Sequence, residues 1–442
     1  MSKSNIPVVI GAGLTGSLIS LSLSKHGIEH VLVGAKPNDT MRPGESLNLL
    51  APAGLRYLLG DSDSYYEKNT IRIYDVDREF TCNFDVSKMT VGAGMLTWFY
   101  KGLGYPPDNY LYHVDRISLD KEACEKATDS ACCHHVSGNV KGLSYDEARD
   151  TITELYIDDM CIAPSHVFDA TNNFALVPRQ IGLHKEIQEE KTRLVFTHYC
   201  RHDDPGDEEF PYDGWVDDTH ILLLEEEADG VDGKMWLIAM GRMMSMGITV
   251  DLDTIGTHST EDIMRLAEAA AARRGLAFRP NYPEHAPAMD RPVHYHVYER
   301  CAGKNWMLSG TTAISAMWTT SSGVGMSVEA AYLAPHFIKR PQRVRKHMET
   351  SIGNLHRLHK VHEDFFGTHR RNISDMEYLR IADSLIQRNV VQTARNAYFS
   401  DRWASRQIAR TVNWLFDIGV LKVTNYCTLR DGSRLSDLEA AS

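Results

Sequence analysis

Residues 8–20, VVIGAGLTGSLIS, leave this chain few folds to choose from. An apolar strand over 6–10 runs straight into Gly11, Gly13 and Gly16, and a helix follows at once. A G-x-G-x-x-G triplet between a strand and a helix is the dinucleotide-binding pattern. Gly11 lets the chain turn tightly, Gly13 lets backbone approach a pyrophosphate, and Gly16 lets the helix pack closely on the strand. The N–H groups of the first helical turn then face the phosphates. Glycine-rich turns also occur without ligands, so it is the flanking strand and helix that favour a nucleotide site.

Composition bounds the rest. With 442 residues, 43% hydrophobic and 24% charged, the chain has the make-up of a soluble enzyme of one large domain or two joined ones. A formal net charge of −12 argues against nucleic acid or an anionic membrane as the main partner. Eight cysteines without regular spacing, and a start that reads as a strand, predict a reduced, cytoplasmic setting. No apolar run is long enough to span a bilayer.

Taken in order, the first βαβ unit closes at residues 30–33, HVLV. The acid that usually holds a ribose after the second strand is missing: Gly34, Ala35 and Lys36 stand there, and Asp39 is the first acid. Lys36 reads as a solvated surface residue. A Pro-Gly turn, RPGESL over 42–47, then delivers Glu45 and Ser46 towards the nucleotide crevice. A helical stretch over 47–59 follows, which Pro52 is expected to interrupt. Residues 70–74 and 80–84 read as strands, and Lys88 and Lys101 flank the aromatic run Trp98, Phe99 and Tyr100. The segment YHVDRISLD opens a helix to about residue 127, with Asp120 or Ser118 as its cap.

Cys132, Cys133, His134 and His135 are adjacent, and neighbours in a strand point to opposite faces, so they do not converge on a metal. Residues 163–170 form a buried strand that carries Asp169 to its C-terminal end, where open α/β sheets bind ligands. Residues 192–250 alternate as an antiparallel sheet laid over the nucleotide domain, and 260–274 is a strong helix. An apolar strand then meets Gly310, and SSGVG over 321–325 precedes a long helix whose free N–H groups suit an anion or a flavin ring. Residues 336–442 read as mostly helical, without motifs.

The ordered set GAGLTG, PGES, YHVDR, FDATN and SGTT…SSGVG resembles the FAD-binding framework of the flavin monooxygenase superfamily, and within it the flavin-dependent halogenases. The resemblance spans roughly residues 1–335. It implies a Rossmann-like FAD-binding α/β domain over 1–75, 105–175 and 300–335, an antiparallel substrate sheet over 76–104 and 176–299, and a helical region over 336–442. It also implies a set of cofactor residues: Gly11, Gly13, Thr15, Gly16, Glu45, Ser46, Arg116, Asp169, Gly310, Val324 and Gly325. Ser322 and Gly323 would hold a halide.

The departures are specific. The W-x-W-x-I-P motif is absent, Thr311 replaces an Asp that contacts the flavin ribityl chain, and Asn172 replaces the Gly of DATG. Thr320 stands where tryptophan-type enzymes carry Glu, so free tryptophan is not the expected substrate. In the family, reduced flavin, oxygen and halide give hypohalous acid, and a lysine then positions or carries the oxidised halogen onto an electron-rich ring. Lys88, with Gly92, Ala93 and Trp98 downstream, matches that lysine best, ahead of Lys101. The implied partners are an aromatic small molecule, a halide ion and a separate flavin reductase; a homo-oligomer is compatible. An FAD hydroxylase using NAD(P)H, and a flavoprotein with a binding role only, are the alternatives.

Overall fold

The computed structural model describes residues 5–47, 51–68, 70–75, 79–83, 112–188, 192–200, 218–241, 243–251, 258–276, 284–293, 295–315, 321–366, 374–382 and 427–441, with six further positions between 407 and 418. Five parallel strands form the central sheet, in the order Trp306–Leu308, Pro164–Asp169, Ile6–Ile10, His30–Val33, Cys133–Val136. The first strand is central. The chain builds outward from it on one side through His30–Val33, and on the other through Pro164–Asp169. Strand order therefore reverses beside Ile6–Ile10, and that reversal opens a crevice at the strands' C-terminal ends. Val8, Val9, Leu32, Val167 and Phe168 are fully buried, in one core with Ile152, Leu155 and Ile157 of the strand Thr151–Ile157. The helix Leu14–Lys25 packs between Arg116–Thr128 and the long helix Ser322–Lys339.

A second sheet of nine strands lies beyond it. Its order is Glu284–His285, Thr192–Cys200, Met243–Asp251, Gly233–Met240, Asp218–Leu224, Thr70–Tyr74, Glu79–Asn83, Cys427–Leu429, with Met289–Pro292 beside Thr192–Cys200. All pairings are antiparallel except Asp218–Leu224 with Thr70–Tyr74. Side chains alternate between its faces. Leu222, Met235, Leu237 and Met246 pack with Ile263, Met264 and Ala267 of the helix Thr260–Arg273. That helix starts in a full capping box of Ser259 and Asp262. Trp236 and Ile238 point the other way.

Several expectations are corrected. Thr70–Tyr74 belongs to the second sheet and not to the nucleotide-binding part. Cys427–Leu429 adds a strand to that sheet from the region read as helical. Among the described residues Pro52 interrupts no helix. It lies in the first turn of Ala51–Leu59, where a missing N–H costs nothing. Asp115, not Asp120 or Ser118, caps Arg116–Thr128, accepting from the N–H of Ile117 at 2.9 Å. Cys124, Cys132, Cys133, Cys161 and Cys301 are free thiols, but Cys427, opposite Cys82 in the sheet, is disulfide-bonded. Among the described residues no helix is long and apolar enough to cross a membrane.

Candidate active site

The fingerprint glycines divide their labour. A Cβ on Gly16 would fall 1.8 Å from the Gly11 carbonyl oxygen, and one on Gly11 would fall 2.6 Å from that of Ala170. Both are packing glycines. A Cβ on Gly13 meets nothing within 4 Å, so this position faces open space at the helix start. No side chain caps that helix, which leaves the first-turn N–H groups directed at the crevice. Thr15 faces the long helix instead: its Oγ1 lies 2.7 Å from Ser327 Oγ.

Asp169 is fully buried, and its carboxylate is occupied by its own turn. It accepts from the Thr171 N–H (3.0 Å), the Thr171 hydroxyl (2.6 Å) and the Val177 N–H (2.7 Å). Burial raises its pKa from the ordinary carboxylate value. Its place is thus to shape the crevice wall. Asn172 adopts a φ of +53°, a left-handed conformation that Asn tolerates better than most residues. It keeps the backbone path that the DATG glycine would allow and adds a side chain. Its Oδ1 accepts from the Thr311 hydroxyl at 2.8 Å, so two of the departures in the sequence are each other's partners.

The PGES turn is held as a strand would be. The Val114 N–H donates to the Glu45 carbonyl at 2.7 Å, and the Leu47 N–H to the Tyr112 carbonyl at 3.1 Å. Arg116 braces the turn from behind, donating to the Pro43 carbonyl at 3.0 Å and through Nε to Asp120 at 2.9 Å. Glu45 is 1% exposed. Its Oε1 lies 3.0 Å from His198 Nε2 and accepts from Ser245 Oγ at 3.1 Å, while Oε2 accepts from the Gly44 N–H at 2.9 Å. Ser245 Oγ in turn accepts from the Trp236 indole N–H at 3.1 Å. The turn is thereby tied to the second sheet.

Between them lies a pocket of about 170 Å³. The turn contributes Glu45 and Ser46, the sheet Ile71, Thr219, Ile221, Trp236 and Ile238, and the start of the long helix Ser321 to Val324. Ser321 has a φ of +48°, and no side chain caps the helix it opens. The first turn of that helix stands at the pocket wall. Gly325 is buried inside that helix, and Gly310, with a φ of +59°, lets the chain pass Thr15.

Behind Ser46 sits a lysine. Lys68 is 3% exposed. Its Nζ donates to Ser46 Oγ at 2.6 Å and to the Leu47 carbonyl at 3.2 Å. Burial in surroundings of low polarity pushes its pKa down to about 7. Ser46 Oγ lies 3.4 Å from Thr219 Oγ1, which lies 2.8 Å from Nε2 of the fully buried His113.

The structure thus gathers Glu45, Ser46, Ser322, Gly323 and Val324 around one pocket, and Gly11, Gly13, Gly16, Thr15 and Gly310 around one helix. Lys88 and Lys101 lie outside the described residues. Lys68, His113, Thr219 and Trp236 were not singled out by the sequence reading. The signal for Lys68 is a charge two residues before the alternating strand TIRIY, which is ordinarily a solvated position. His134 and His135 diverge as read, towards Glu29 and the Gly34 carbonyl.

No protein-family model matches the sequence, and no curated protein does. Solved structures do. The flavin-dependent brominase Bmp2 is 15% identical with a TM-score of 0.66, over 94% of this chain and 100% of that one. Halogenase PltM, in complex with phloroglucinol and FAD, is 14% identical with a TM-score of 0.66, over 92% of this chain and 86% of that one. A flavoprotein/dehydrogenase from Cytophaga hutchinsonii is 15% identical with a TM-score of 0.65, over 95% of this chain and all of that one. Near-complete coverage at such low identity is a likeness of architecture: this chain has the Rossmann-like α/β fold of the flavin-dependent halogenases and related flavoproteins.

Proposed function

We propose that this protein is a flavin-dependent halogenase of electron-rich aromatic rings, and that Lys68, not Lys88, is its halogen-handling lysine. One observation carries the reading: a lysine with a depressed pKa is buried one hydroxyl behind the wall of a mainly apolar pocket, between the crevice and the second sheet. Structures of the same fold include the brominase Bmp2 and PltM with FAD and phloroglucinol.

The residues present fit a flavin dinucleotide. Open space at Gly13 and uncapped N–H groups at the start of Leu14–Lys25 suit its pyrophosphate. Reduced by a separate reductase, that group would supply hypohalous acid from oxygen and halide. The N-terminal end of the helix Ser322–Lys339, at Ser322 and Gly323, has the positive dipole end that suits a halide ion. Ile71, Ile221 and Ile238 exclude water, and Trp236 offers a flat face to a substrate ring. The Lys68 ammonium then passes its proton through the Ser46 hydroxyl, which lines the pocket, to the oxygen of hypohalous acid. The halogen–oxygen bond breaks, the carbon–halogen bond forms, water leaves, and the proton lost by the ring restores the ammonium.

The test is incubation with FAD, a flavin reductase, NADH and each halide in turn, with phenols and indoles read by mass spectrometry. A halide-dependent product mass in the wild type, lost in Lys68→Ala and Lys68→Arg with FAD titration unchanged, is the expected result. Lys88→Ala and Lys101→Ala are the comparison. Hydroxylated product formed with NADPH and no reductase would establish the hydroxylase instead.

A further inference from the structure

We propose that His113 is a positioning residue for Lys68, acting through Thr219 and Ser46 as a buried hydrogen-bond chain that keeps the lysine's proton directed at the pocket wall. This rests on the reading of Lys68 as the halogen-handling residue. The chain is continuous: Lys68 Nζ to Ser46 Oγ at 2.6 Å, Ser46 Oγ to Thr219 Oγ1 at 3.4 Å, Thr219 Oγ1 to His113 Nε2 at 2.8 Å. Four separate segments supply its members. Backbone pairing holds them together: Ser46 bridges His113, Tyr66 pairs with His113 two residues before Lys68, and Thr219 pairs with Ile71.

The direction of the chain follows from its two ends. An ammonium can only donate, so Ser46 Oγ must accept from Lys68. Its own hydrogen is then free to point to Thr219, whose hydrogen points to His113 Nε2. This requires a neutral imidazole with a bare Nε2, and burial holds His113 well below the usual histidine range. His113 Nδ1 is buried and has no hydrogen-bond partner among the described residues. A histidine's tautomer is ordinarily set by the bond its other nitrogen makes. Among the described residues Thr219 is the partner that sets it, so His113 reads the direction of the hydroxyl chain. Aligned hydroxyls strengthen one another, which makes Ser46 a better acceptor and favours the ammonium. The weak link at 3.4 Å, between Ser46 and Thr219, is where the chain reverses when Lys68 loses its proton.

Among the described residues, the titratable groups around this chain are His220 with its neighbours Asp218 and Arg72, and Glu45 with His198. His113, on Tyr112–Val114, feels Lys68 and His220. His220, on Asp218–Leu224, lies against Tyr74 and is itself held at about 4 by burial. Glu45, next to Ser46, is bonded to His198.

Two measurements decide the matter. In protein labelled with ¹⁵N-histidine, without flavin, His113 is expected to show a bare Nε2 at pH 6. Its signals should move as the pH passes the Lys68 pKa, and Lys68→Met should abolish that movement. A protonated Nε2 at pH 6, or signals unaffected by Lys68→Met, overturns the proposal. In turnover, the halogenation rate of the wild type should fall as pH rises through the Lys68 pKa. Thr219→Val, which keeps shape but cuts the chain, should shift that fall to lower pH, and Thr219→Ser should restore the wild-type profile. A Thr219→Val profile that merely scales down, with no shift, overturns it as well. The magnetic resonance result needs no catalysis, so failure of the halogenase reading and failure of the chain are separate outcomes.

Discussion

Gly247 stands directly opposite Trp236 in the second sheet, and a Cβ there would fall 2.0 Å from the indole ring. The glycine is the space in which the pocket's tryptophan lies. The position predicts a packing failure with a functional sign. Gly247→Ala should cost about 1–3 kcal/mol in denaturant unfolding, as overpacking does. It should also break the Trp236–Ser245–Glu45 contacts, seen as a change in tryptophan fluorescence. Unchanged stability and fluorescence would show that the indole has room to move.

Gly13 and Gly16 should fail in different ways. Gly13→Val adds bulk only to open space at the crevice, so flavin titration should be lost while the thermal transition persists. Gly16→Ala places its Cβ 1.8 Å from a carbonyl oxygen and should lower stability itself, with or without flavin. An unaltered flavin affinity in folded Gly13→Val would exclude the fingerprint as the binding site.

Lys68 makes stability depend on pH in a definite sense. Its pKa is about 7 when folded, against about 10.4 for an unperturbed lysine. Between these values the unfolded chain binds the extra proton, so this group makes stability rise with pH. Below about 7 both states carry the proton and the full cost of burying the charge applies. Lys68→Met should therefore be more stable than wild type near pH 6, by an amount on the order of a few kcal/mol. The advantage should shrink as pH rises towards 10. Paired urea titrations across that range measure it, and a constant difference would mean that Lys68 is not a buried titrating amine.

Asn172 tests the meaning of a departure from the family pattern. Asn172→Gly keeps the left-handed backbone and loses only the bond to Thr311, so it should change stability by less than about 1 kcal/mol. Asn172→Val puts a branched side chain at a φ of +53° and should cost at least about 1–2 kcal/mol. Equal effects in the two variants would remove the conformational explanation.

What the sequence determined by itself were features set by neighbours along the chain. A strand, three glycines and a helix need only local sterics to specify a nucleotide turn. Alternation over 192–250 specifies a sheet because strand side chains repeat every two residues. The PGES and SSGVG segments were legible as breaks in the chain, but the structure pairs PGES like a strand and takes Ser322–Gly325 into the first turn of the long helix. The buried lysine behind the pocket was not legible. Lys68 is buried only because Ser46, Leu47 and His113 reach it from segments that no local period connects, and a lysine before a strand is otherwise a surface residue. Likewise Asn172 and Thr311, two apparent losses 139 positions apart, became one hydrogen bond once the parallel sheet placed their strands side by side. Tertiary structure decided these points because desolvation and hydrogen-bond partnership depend on which segments meet.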